Sequence, residues 1–206
     1  AHNTVKTTSI MRDSYVNISG YGKDKINHAF VFGGPQLAIK TLNENFNLTI
    51  TKYIAVNFSD FSAIIDKLGG IEIKVSDDEA TEIPGLEKGG TYKLTGDQAL
   101  AYSRIRCLSG GDYERTHRQR MLLEKLYSML ASRPVTQYSE MAEELFPMIH
   151  TNLTNREIMI YSAYIAASRP RLLQNRFPKD DMASSKRING IYYLVFEEKE
   201  TTEAIH

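Results

Sequence analysis

The chain has 206 residues, 42% of them hydrophobic and 24% charged, with 25 basic against 25 acidic side chains. That length can bury one sizeable core, and a formal charge of +0 excludes generic capture of nucleic acid by bulk attraction. A lone cysteine, Cys107, excludes an internal disulfide and a cysteine-based zinc site, and no apolar run approaches the roughly 18–20 residues of a membrane span.

Taken in order, residues 6–11 and 14–18 read as extended, with Arg12-Asp13 at their join. Residues 19–24 carry turn chemistry. Gly33-Gly34-Pro35 places a proline just inside a helix start, and Ala38, Leu42 and Phe46 give that helix its apolar stripe. Residues 53–58 form a short apolar strand candidate. Ser59 is a plausible cap for a helix carrying Phe61, Ile64, Ile65 and Leu68, stopped by Gly69-Gly70. Residues 71–75 alternate Ile, Glu, Ile, Lys, Val, as a strand with one wet face does. The acidic stretch 77–92 reads as a loop or small hairpin. Thr95 caps a short helix over 96–102. A longer helix carries Leu122, Leu126, Met129 and Leu130 and ends near Arg133-Pro134. A further helix spans 139–150 with a bend at Pro147, and a third, capped by Thr154, runs to about Ser168. Residues 171–177 and 191–196 are terminal strands around a polar loop. Strands alternating with helices predict an α/β layered domain with helices covering the sheet.

The densest chemistry lies in residues 103–120, SRIRCLSGGDYERTHRQR, with five arginines against two acids. On an extended chain Arg104 and Arg106 share a face. On a helix Arg115, Arg118 and Gln119 do the same. A Gly-Gly-Asp turn joins the two pieces, so the pattern predicts a strand end and a helix start aiming guanidiniums at one place. Asp112 is placed to cap that helix and leave Arg115 free on its first turn. Planar donor forks at a helix start suit phosphate or diphosphate oxygens. A solvated charged face has the same composition.

Other candidates are sparser. Arg12-Asp13 offers a carboxylate for Mg²⁺ or for proton abstraction, or an ordinary turn ion pair. Lys25 and Asn27, if extended, share a face toward an anion. His28 and His117 lack zinc-site spacing. Gly-x-Ser-x-Gly and Walker patterns are missing.

Together the segments TTSIMRDSYVNI, KINHAFVFGG, FSAIIDKLGGIEIKV and LTGDQALAYSRIRCLSGGDYERTHRQR resemble the LytR-CpsA-Psr family of bacterial cell-wall enzymes. The resemblance implies a single catalytic domain over 1–206, an α-β-α sandwich with a central mixed sheet and an apolar pocket for a polyprenyl tail. It implies a phosphotransferase at the extracellular face of the cytoplasmic membrane, moving a glycopolymer from undecaprenyl diphosphate onto peptidoglycan through a phosphodiester. By motif, Arg104, Arg106, Arg115, Arg118 and Gln119 surround the diphosphate, with Arg12 in the same shell and Lys25 at its rim. Asp13 ligates Mg²⁺, or Mn²⁺ in its place, and Asp13, Arg106 and Arg115 carry the catalysis. Arg120 turns away from that face. Family members carry another aspartate upstream of the TTSIMRD segment, so the resemblance also implies a preceding strand and a membrane anchor beyond this sequence. Two rivals stand beside this reading: a nucleic-acid-binding regulator that reads a groove with residues 115–120, and a non-catalytic module that binds a polyprenyl phosphate or glycan. The neutral charge favours no nucleic-acid partner.

Overall fold

The computed structural model describes residues 3–108, 111–179 and 181–197. The chain falls into two compact units: Ala1–Val5 with Ile54–Leu172, and Lys6–Tyr53 with Leu173–His206. The α/β class read from the sequence is what is observed. Among the described residues the strands form five two-stranded ladders rather than one continuous sheet.

The first unit grows from a helix-hairpin-helix core. Strand β4 (Ile54–Ala55) is only two residues long and pairs antiparallel with β7 (His150–Thr151). The apolar run that predicts a longer strand turns into helix α2 (Phe58–Lys67), because the Asn57 side chain accepts from the Asp60 N–H and caps it two residues ahead of Ser59. Gly69 and Gly70, at φ +85° and +88°, end α2 in a backbone region that disfavours side chains. Strand β5 (Ile71–Val75) then alternates buried and exposed residues as its sequence predicts.

The acidic stretch after it is more ordered than a loop. Ser76 and Glu79 form a reciprocal capping box around α3 (Asp77–Ala80), and β6 (Gly90–Leu94) returns antiparallel to β5. A second capping box, Thr95 with Gln98, starts α4 (Gly96–Arg104), and α5 (Gly111–Ala131) follows. Ile65, Ile71, Ile73, Leu94, Ala99, Tyr102 and Leu122 pack into one buried cluster from α2, β5, β6, α4 and α5. Each large aliphatic buried there contributes about 1.5–3 kcal/mol.

α6 (Tyr138–Leu145) breaks into a 3₁₀ turn at Phe146–Met148, where Pro147 supplies the expected bend. Thr154 and Glu157 cap α7 (Asn155–Ser168).

α2 and α4 approach closely because Gly96 has no side chain. A Cβ there would lie 2.0 Å from the Ser62 carbonyl oxygen, while the Gly96 N–H donates to Asp66 Oδ1 at 2.7 Å. Gly96→Ala is therefore expected to destabilise the chain by about 2–3 kcal/mol through forced backbone displacement. Denaturant unfolding checks this: an unchanged midpoint would contradict the close approach.

The second unit pairs β1 (Thr4–Ile10) with β8 (Arg171–Phe177), and β2 (Tyr15–Ile18) with β3 (Gly22–Lys25) in a hairpin. The polar loop before the last strand is itself a strand, β9 (Ala183–Ile188), antiparallel to β10 (Ile191–Phe196). Ser14 bridges to Leu194, tying β10 to the Arg12-Asp13 turn.

Helix α1 (Ile26–Phe46) begins well before Pro35. Gly33 and Gly34 are non-helical and divide it, so Pro35 does open the second segment as expected, but an additional helical segment precedes it. Lys25 is the residue before the helix and Asn27 is inside it, so the two do not share the face of an extended strand. Val16, Ile18, Ala29, Phe46 and Phe177 fill this unit's core. Edge-on contact between Phe46 and Phe177 at 5.3 Å contributes beyond simple burial.

Candidate functional site

In the first unit, the arginine stretch departs from its sequence reading in local form. Arg104 is the last residue of α4 rather than part of a strand end. The C-cap Ile105 has φ −53° and ψ 127°, so the chain leaves the helix extended and puts Arg104 and Arg106 in solvent. The Ser109–Gly110 part of the joining turn lies outside the described residues. On α5, Arg115 and Arg118 are buried while Gln119 is exposed.

Those two arginines are held within the protein. Asp112 does not leave Arg115 free; its Oδ1 lies 2.6 Å from Arg115 Nη2 on the next turn of the same helix. Arg118 Nε donates to Glu79 Oε1 at 2.7 Å, and its Nη1 donates to the Ile105 carbonyl at 3.3 Å. Arg118 thereby fixes the loop that carries Arg106. Burial pushes the Glu79 carboxyl up, but hydrogen bonds from Ser76 and the Arg118 guanidinium outweigh it and hold the group below its ordinary value. Burial, with the Glu79 charge adding to it, pushes the nearby Tyr102 phenol up to about 12. Arg120 Nη2 lies 3.5 Å from His117 Nδ1 on the preceding turn.

Beside this locus lies an apolar cavity of about 230 Å³. Phe58 and Phe61 of α2, Leu100 of α4, and Leu122 and Leu123 of α5 make its walls; Asn57, Ser103 and Gln119 add polar atoms. The Gln119 amide donates to the Ser103 carbonyl at 3.5 Å. The Arg104 guanidinium sits over the Phe58 ring, 4.9 Å from its centroid. A long apolar chain can thus lie against these walls while its anionic end meets Arg104. The sequence marks Phe58 and Phe61 only as aromatics three apart, which a plain core helix also shows.

In the second unit, Asp13 is buried at the turn between β1 and β2. Lys25 Nζ lies 2.7 Å from its Oδ1 and Arg12 Nε 3.3 Å from its Oδ2. Lys25 thus sits against Asp13. Behind it is a network the sequence does not reveal. Asp24 accepts from the Lys25 N–H at 2.8 Å and from the Tyr193 hydroxyl at 3.3 Å, and its Oδ2 lies 2.7 Å from His28 Nδ1. Burial raises the Asp24 pKa, but His28 and the Lys25 N–H win and hold it below the usual range.

Among the described residues no three His, Cys, Asp or Glu side chains gather as a metal cage. Asp13 is a buried carboxylate whose two oxygens face Lys25 and Arg12.

The family model LytR_cpsA_psr matches residues 1–205. The chain belongs to the LytR-CpsA-Psr family. It is 39% identical over 160 residues to the polyisoprenyl-teichoic acid–peptidoglycan teichoic acid transferase TagU of Bacillus anthracis, covering 76% of this chain and 52% of that protein. The chain spans about half the length of the curated relatives it matches first. Among solved structures it resembles one described as a transcriptional regulator from Enterococcus faecalis, at TM-score 0.83 and 28% identity, covering 98% of this chain and 76% of that one. It also resembles TagT bound to LIIa-WTA, at TM-score 0.82 and 26% identity, over 98% and 77% of the two chains. As in the LytR-CpsA-Psr reading of the sequence, the strand-helix order and the apolar pocket are present. Among the described residues no helix is long and apolar enough to cross a membrane.

Proposed function

We propose that this LytR-CpsA-Psr chain carries the phosphotransferase activity that moves an anionic glycopolymer from an undecaprenyl-diphosphate carrier onto peptidoglycan, at the extracellular face of the bacterial cytoplasmic membrane. The observation that carries the reading is the apolar cavity with Arg104 stacked on its Phe58 wall. A greasy tail and a diphosphate head require that pairing of surfaces. The names of TagU and of the TagT complex support the choice of polymer and acceptor classes.

The reaction forms a bond from a peptidoglycan hydroxyl oxygen to the glycan-proximal phosphorus and breaks the bond from that phosphorus to the oxygen of the departing polyprenyl phosphate. Charge spreads over the phosphoryl oxygens as this happens, so positioning and neutralisation are the main tasks of the protein. Arg104 and Arg106 are exposed and reach for phosphate oxygens. Arg115, Arg118 and Gln119 belong to the same assignment, with Arg115 and Arg118 also supporting the surrounding fold. Arg12, Asp13 and Lys25 are assigned to the reaction on their match to the family motif. Asp13 is the residue that would hold Mg²⁺, and the ion would supply charge neutralisation for phosphoryl transfer. Lys25 and Arg12 hold the Asp13 carboxylate in place.

A groove-reading regulator needs Arg115 and Arg118 on the surface of α5, and both are buried. Binding measurements separate the two readings. The purified chain is expected to bind geranylgeranyl diphosphate and to show no strong affinity for duplex DNA at physiological salt. Tight duplex binding without prenyl-diphosphate binding would overturn the transferase. Bound lipid without turnover on peptidoglycan would identify the carrier-binding module instead.

A further inference from the structure

On the flank of α4 that bears Ala101, an open groove of about 560 Å³ is lined by Glu82, Asp97, Leu100, Ala101 and the Ile105–Cys107 turn, and Arg104 borders it. Its charged side chains are of both signs, yet they are not spent on one another. Among the described residues Glu82, Asp97 and Arg106 make no side-chain hydrogen bond or ion pair, although Glu79 and Asp112 nearby each hold an arginine. All three are exposed. Leu100, Ala101 and Ile105 give the groove an apolar floor.

We infer that this groove binds the acceptor saccharide of the proposed transfer, an inference that rests on that reading. The charge pattern decides between the two reactants. With Arg104 and Arg106 in the same lining as Glu82 and Asp97, the groove carries no net charge to attract the anionic glycopolymer. An uncharged, hydroxyl-rich sugar chain needs none. Carboxylates accept from sugar hydroxyls, guanidiniums donate to hydroxyl and acetamido oxygens, and the apolar faces of the rings lie on Leu100 and Ala101. Arg104 also stacks on the cavity wall at Phe58, so the groove delivers its ligand next to the arginines assigned to the diphosphate.

Cys107 gives a direct readout. It is the sole cysteine, it is exposed, and it lines the groove. A β-1,4-linked N-acetylglucosamine tetramer is expected to slow its alkylation by N-ethylmaleimide in a saturable way. The double substitution Glu82→Gln with Asp97→Asn is expected to raise the half-protecting concentration by about tenfold, the loss of charge-assisted hydrogen bonds. Both side chains are exposed, and geranylgeranyl diphosphate should bind the variant as it binds the native chain. No protection at millimolar tetrasaccharide, or equal protection of native and variant chains, would overturn the inference. Protection without any binding of the prenyl diphosphate would instead sink the proposed transfer and leave a saccharide groove standing.

Discussion

Replacing Arg106 with alanine is expected to lower the rate of polymer transfer by roughly 10²–10³, the usual cost of removing one preorganised charge-stabilising donor. The same substitution should leave the thermal midpoint unchanged, because the side chain is exposed and makes no ion pair among the described residues. That combination is what makes residue 106 informative. At Arg115 an alanine would also remove transfer, but it would break a 2.6 Å contact with Asp112 and leave space beneath a buried side chain, so lost activity and lost fold would be mixed. The measurement is single-turnover transfer from a polyprenyl-diphosphate-linked saccharide, alongside a melting curve. Native rates from Arg106→Ala would remove this residue from the catalytic assignment.

Arg118→Ala should act through stability. Its guanidinium is 5% exposed and Glu79 is 15% exposed, so removing one partner strands a nearly buried charge, at a cost of about 3–5 kcal/mol. For a chain of this size that lowers Tm by roughly 6–20 °C. Replacing both charges, as Arg118→Met with Glu79→Gln, should recover part of the loss, since no charge is stranded and a glutamine still completes the capping box with Ser76.

The pH dependence follows from the same pair. Glu79 is held below its ordinary value of 4.5, so its stabilisation is complete above that pH and disappears as pH falls through the lower folded value. Without Arg118 the depression shrinks, so the acid-side loss of Tm starts from the same pH but is smaller and is complete at a higher pH. A series of melting curves from neutral to acid pH checks the sign; an acid limb that does not move would show that Glu79 is held by its Ser76 contacts alone.

Much of the scaffold was legible because it obeys local rules. The alternation at Ile71–Val75, the Thr95 and Thr154 caps, Pro35 opening the second segment of α1 and the glycine stop at Gly69-Gly70 are all written in a few neighbouring residues. What failed depended on longer reach. The cap at Asn57 rather than Ser59 turns on one side-chain rotamer, and the helical segment before Gly33 carries no proline or capping side chain to announce it. The arginines were legible as a cluster but not as individuals. Periodicity puts Arg115, Arg118 and Gln119 on one helix face, yet two are buried against carboxylates and one is wet. The partner that decides Arg118, Glu79, lies thirty-nine residues away in sequence. The Asp24 network was hidden for the same reason, since Tyr193 reaches it from the far end of the chain.

Arg104 touches the Phe58 wall of the cavity and also borders the groove on the Ala101 flank of α4. A side chain shared in this way couples two occupancies: whatever one reactant does to its rotamer, the other must experience. Thermodynamic linkage makes such coupling reciprocal, so donor and acceptor should alter each other's affinity by the same factor.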